Sequence, residues 1–170
     1  MGVYIWETET ADSVITMLRT WNHQVHLWLK FYVQNRIVAS GQRATTAQTM
    51  LVFGVSALWH GLYPGYYIMF FLAALLMEVS KDVFRARVLF NRFIPSFARS
   101  FIAHILTILT MNYCGIIINA LTLERIALFF RLTYGIPFAG VVLLLIYCRA
   151  TNIAGRAKKY EAKLSATKKE

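Results

Sequence analysis

His60 is the side chain in this sequence whose type and setting best suit chemistry. It closes an apolar run and stands within Ser56-Ala57-Leu58-Trp59-His60-Gly61-Leu62-Tyr63-Pro64-Gly65-Tyr66-Tyr67. A titratable group beside a bilayer is expensive, so it faces a cavity or a partner and marks a functional site. Imidazole titrates at about 6.5 and can take a hydroxyl proton at neutral pH. Acyl transfer from a thioester to an alcohol needs such a base. A histidine that bonds two helices together would fit the same setting. Upstream, Asn22 sits among aromatics in Trp21-Asn22-His23-Gln24-Val25-His26-Leu27-Trp28-Leu29-Lys30. A carboxamide can hold a substrate, orient a base or donate to a developing oxyanion. It can equally serve as glue between helices.

Other residues compete for a role. His23 and His26 are three apart and could share a metal, but no third or fourth ligand follows at a suitable spacing, and no metal is expected. Trp59, Tyr66 and Tyr67 flank His60 and are candidate substrate contacts. The stretch 66–71 that holds the tyrosines reads also as bundle packing or an interfacial aromatic belt. His104, with Ser100 and Thr107 at helical spacing, reads as a hydrogen-bonded group between helices.

The elements that must position these residues are apolar. Hydrophobic residues make up 58% of 170, against roughly 45–50% in soluble domains, and mean hydropathy is +0.50. The net charge is +10, but the basic residues cluster between apolar runs, as cytoplasmic membrane loops do. Nucleic acid is therefore not an expected partner; the lipid bilayer is. Cys114 and Cys148 lie in apolar segments and define no disulfide framework.

Spacing predicts an amphipathic helix over 13–34, capped by Thr10 or Asp12, with a stripe of Val14, Met17, Leu18, Trp21, Val25, Trp28 and Tyr32. It carries too many polar groups to face lipid. Apolar segments at 47–62 and 66–79, parted by Pro64-Gly65, fall short of the roughly 20 residues of a span. They suit tilted spans, a re-entrant hairpin or core helices. Segments 100–121 and 126–148 are long enough to cross, the second with a kink at Pro137. A basic loop at 81–99 carries Lys81, Arg85, Arg87, Arg92 and Arg99 against Asp82. The tail 149–170 holds seven Lys/Arg and two Glu. Two spans separate loop and tail, so they share a side, which the positive-inside rule makes cytosolic. The loop could attract coenzyme A phosphates, although charge alone accounts for its retention in the cytosol. The expected fold is all-α, a polytopic helical membrane protein. It is one domain over 1–170, with the amphipathic helix and basic linker at 1–46, hydrophobic helices at 47–148 and the basic tail at 149–170.

The two blocks Trp21-Asn22…Trp28-Leu29-Lys30 and Ser56-Ala57…Trp59-His60-Gly61…Pro64-Gly65-Tyr66-Tyr67, preceded by Trp6-Glu7-Thr8, resemble the membrane-bound O-acyltransferase family. The resemblance is to its lysophospholipid acyltransferase branch and to the C-terminal portion only. It covers residues 5–80 by motif and the rest by hydropathy and order. It implies transfer of a fatty acyl group from acyl-coenzyme A to a lysophospholipid hydroxyl in the endoplasmic reticulum membrane. The active-site residues would be His60 and Asn22, acyl-coenzyme A would be a co-substrate rather than a bound cofactor, and the donor would enter from the cytosol. Val25 stands where the family often has Thr. Members of the family are far longer, so a 170-residue chain would rely on further N-terminal helices of the same fold. The alternative is a catalytically inactive membrane fragment acting through helix–helix contacts.

Overall fold

The computed structural model describes residues 2–90 and 93–167; Arg92 and the last three residues of the basic tail lie outside them. Among the described residues the chain is helical without strands. The amphipathic segment does not form one helix. After a short α1 (Ile5–Glu9), α2 runs over Val14–Trp21 and α3 over His23–Trp28. A π-helical turn, Leu29–Gln34, leads into α4 (Asn35–Ile37). The cap of α2 is Ser13, whose Oγ accepts from the Thr16 N–H at 3.2 Å. The expected caps Thr10 and Asp12 are engaged elsewhere: Thr10 bonds the Trp6 carbonyl and Asp12 accepts from Ser100.

Helix α5 (Thr46–His60) opens with a capping box. Thr45 Oγ1 accepts from the Gln48 N–H, and the Gln48 side chain accepts from the Thr45 N–H at 2.8 Å, satisfying two donors that a helix start leaves open. Helix α6 (Pro64–Phe90) is far longer than the expected 66–79. It continues through the first half of the expected basic loop, because nothing between Val79 and Phe90 breaks a helix and its acidic and basic side chains pair one turn apart.

Helix α7 (Ser96–Ala120) is long and apolar enough to cross a membrane. Its flank exposes Phe97, Phe101, Leu106 and Leu109, as a lipid-facing surface would. The second expected span is not one helix. It divides into α8 (Leu123–Leu132) and α9 (Ile136–Ala150), bent by 80°. The break lies at Tyr134 and Gly135, both in the left-handed region at φ +51° and +62°. Pro137 sits in the first turn of α9, where its missing N–H is no loss, so it starts a helix rather than kinking one. The basic tail is largely helical as α10 (Ile153–Thr167), packed on α6.

The core joins α2, α6 and α7 through Val14, Met69, Leu72, Leu76, Tyr113 and Ile117. Between helices in lipid, close packing replaces the hydrophobic effect as the adhesive, and small residues allow close approach. Ala73 and Ala74 are buried accordingly.

A second adhesive is ionic. Glu78 and Asp82, one turn apart on α6, are both buried, at 4% and 3% exposure. Glu78 accepts from Lys81 at 2.6 Å, Thr46 at 2.9 Å and Arg149 at 2.7 Å. Asp82 accepts from Arg85 at 3.1 Å, and its other oxygen lies 3.0 Å from Arg149 Nε, the ion-pair partner of that oxygen among the described residues. Arg149, at the end of α9, thus bridges both carboxylates. Half-exposed itself, it can swing into water; the carboxylates cannot. Arg149→Ala should destabilise the chain by about 1–3 kcal/mol, the cost of a buried acceptor left without its partner. Unfolding by SDS titration from mild detergent measures this, and an unchanged midpoint would show the bridge to be idle.

Candidate active site

Local structure explains the residues around His60. The helix ends on it, and Gly61 turns the chain at φ +128°, a conformation that side chains disfavour. A Cβ there would also meet the Tyr66 ring at 3.4 Å. Pro64 then opens α6 with φ already helical. Gly65 is buried against the end of α7: its N–H donates to Leu121 O at 3.0 Å, and a Cβ would lie 2.9 Å from Leu121 Cα and 3.0 Å from Ile117 O. Those neighbours are backbone and cannot step aside. The glycines and proline of this block therefore fix where the imidazole stands.

The ring is held on two sides. Nδ1 lies 2.7 Å from the Ser56 carbonyl oxygen. A carbonyl only accepts, so Nδ1 carries the proton and Nε2 keeps its lone pair. Phe70 packs on the ring at 4.7 Å, Tyr66 at 5.9 Å and Trp59 at 5.0 Å between centroids. His60 is half-buried. Among the described residues Nε2 has no hydrogen-bond partner, so the ring is an oriented imidazole with one open nitrogen.

Asn22 occupies the break between α2 and α3, ending one helix and capping the next. Its side-chain oxygen faces the Val25 N–H at 3.5 Å. Among the described residues no acceptor engages the amide NH2, which is the end open to donate. Among the described residues no hydrogen bond joins Asn22 to His60. What lies between their helices is a groove of about 550 Å³, lined by Val25, Trp28, Phe31 and Tyr32 on one side and Ser56 and Trp59 on the other. The π-helical turn shapes this wall. It supplies Leu29, Phe31 and Tyr32 to the lining, Tyr32 stacks on Trp28 at 6.0 Å, and such turns recur at functional sites.

The other sequence candidates are placed apart. Tyr67 lines a different groove on the next face of α6, away from His60. His23 packs edge-on against Tyr4 at 4.9 Å, with Nδ1 toward the Arg19 carbonyl. Burial pushes the His26 imidazole below its ordinary value, and the charges of Arg19, Lys30 and His23 add to that. His104 Nδ1 donates to the Ala11 carbonyl at 2.9 Å, tying α7 to the N-terminal segment.

Sequence reasoning passed over Trp28 and Tyr32 as groove residues, because helical spacing made them a packing stripe, and it did not single out Phe31. It also passed over Glu78, although a carboxylate inside an apolar segment, four residues before Asp82, is a readable signal of a buried ionic cluster.

The chain is 35% identical over 154 residues to lysophospholipid acyltransferase 2 of Arabidopsis thaliana, covering 86% of this chain and 32% of the relative. It is 38% identical over 80 residues to a lysophospholipid acyltransferase of Saccharomyces cerevisiae, 47% of this chain and 13% of that one. It is 40% identical over 79 residues to human membrane-bound glycerophospholipid O-acyltransferase 1, 46% of this chain and 14% of that one. The chain spans about a third or less of the length of these relatives. Residues 2–118, which contain both motif blocks and the groove between them, match the family model of the membrane-bound O-acyltransferases. This chain belongs to the membrane-bound O-acyltransferase family.

Proposed function

We propose that this chain carries the reacting pair of an acyltransferase that moves a fatty acyl group from acyl-coenzyme A to the hydroxyl of a lysophospholipid. The observation that carries the reading is the orientation of His60: Nδ1 is held by the Ser56 carbonyl, which leaves Nε2 as the basic nitrogen, on the helix whose Ser56 and Trp59 line an aromatic groove. Relatives bearing the name lysophospholipid acyltransferase support it.

In this mechanism Nε2 of His60 takes the proton of the lysophospholipid hydroxyl as its oxygen attacks the thioester carbonyl carbon. The carbonyl oxygen gains negative charge, and the Asn22 NH2 donates to it. The C–S bond then breaks, the acyl–oxygen ester remains, and His60 returns its proton to the departing thiolate. Trp28, Tyr32 and Trp59 offer the acyl chain an apolar wall. The direct assay places this chain in the matching third of the Arabidopsis relative and measures coenzyme A release with acyl-coenzyme A and a lysophospholipid. Release that does not depend on the lysophospholipid would reject the acceptor assignment.

The same reading sets the chain in the endoplasmic reticulum membrane, with the basic residues around 81–99 and the tail facing the cytosol. Lys81, Arg85 and Arg87 in α6, Arg99 in the first turn of α7, and Arg156, Lys158 and Lys159 in α10, supply the positive charge that holds this orientation. In sealed microsomes, external protease should remove a tag at the C-terminus. A protected tag would reverse the orientation.

A further inference from the structure

A second groove, of about 1060 Å³, opens on the next face of α6 and shares no residue with the first. Tyr67 and Phe71 form one wall, and Phe130 and Phe138 the other, across the break between α8 and α9. Tyr66 and Phe70 face His60, so this groove is no part of the reacting pair.

The break is firmly built. The Gly135 N–H donates to Phe130 O at 2.8 Å, and Thr133 Oγ1 donates to Phe129 O at 2.9 Å. Phe130 and Phe138 meet edge to face at 5.9 Å. Tyr134 is held left-handed and 86% exposed at the lip, a conformation kept only where its surroundings impose it.

Arg131 also lines this groove and is exposed. Among the described residues no carboxylate pairs with it, whereas Arg85 and Arg149 both have acidic partners. Glu124, the acid on the same helix, is two turns away. A planar guanidinium beside an aromatic trough matches one chemistry in a bilayer: a phosphate to accept its forked hydrogen bonds and an alkyl chain to cover the rings. A small aqueous anion would use Arg131 and leave the trough empty.

We infer that the groove at the α8–α9 break holds one membrane phospholipid, with its phosphate on Arg131 and an acyl chain along Phe71, Phe130 and Phe138. The lipid would wedge the bent pair against α6 without entering the reaction.

Native mass spectrometry of the full chain, released from detergent in the presence of palmitoyl-oleoyl phosphatidylglycerol, tests this without reference to turnover. The wild-type chain should retain one lipid. Arg131→Gln should weaken retention about tenfold, the usual scale of one charge-assisted contact. Arg125→Gln removes the same charge from the same helix outside the groove and should leave retention unchanged. No retained lipid on the wild-type chain, or equal losses from the two substitutions, would overturn the inference. So would displacement of the lipid by free coenzyme A, which would place the donor there instead.

Discussion

His60→Ala should lower acyl transfer by about 10²–10⁴, the range lost when a general base is removed. The expectation follows from geometry rather than from the presence of a histidine. The Ser56 carbonyl fixes the tautomer, three aromatic rings fix the plane, and Nε2 is the nitrogen left to accept a proton. The loss should fall mainly on turnover, because His60 makes its one hydrogen bond within its own helix and its ring contacts reach only the adjoining α6, through Tyr66 and Phe70. His104→Ala should show the reverse pattern. Its imidazole joins α7 to Ala11, ninety-three positions away in sequence, so its removal should loosen the N-terminal segment and lower abundance before it touches the rate. Measuring product formation per mole of membrane-inserted protein separates the two. Equal losses per mole would make both histidines structural.

The isolated 170-residue chain, purified in detergent, should show little or no turnover, whereas the same chain within the Arabidopsis relative should be active. The groove between the Asn22 and His60 helices is open, and both residues are only half-buried. An acyl thioester reacting with a lipid alcohol needs a protein-lined cavity that excludes competing water and strengthens the Asn22 donor. The relatives are about three times as long or longer, and the unmatched length supplies the candidate walls. Robust turnover by the isolated chain would require another source of walls, such as a second copy, and size-exclusion chromatography would reveal it.

Much of this was legible in the residues. His60 stood out because a titratable group at the end of an apolar run is costly, and Asn22 because its carboxamide sits among aromatics. Gly61, Pro64 and Gly65 read as punctuation, and the structure gives each a reason: a positive φ, a helix start and a backbone contact with α7. Helix boundaries were less legible. Asn22 breaks the amphipathic helix by capping its second half, yet hydrophobic spacing runs through the break without interruption. The charges after Val79 suggested a loop, but Glu78, Lys81, Asp82 and Arg85 pair along a continuing helix. The 80° bend depends on two consecutive left-handed residues, and Tyr134 gives no sign of that by type. The Arg149 bridge joins residues seventy-one apart, a distance no periodicity can span.

The most direct test asks whether Asn22 and His60 act as one unit. Turnover should be measured for Asn22→Ala, His60→Ala and the double variant in the Arabidopsis relative carrying this chain, at saturating acyl-coenzyme A and lysophospholipid. Residues that serve one transition state are strongly non-additive, so the double variant should be about as slow as the slower single variant. A double variant slower by the product of the two single losses, or either single variant at full turnover, would contradict a shared acyl-transfer site.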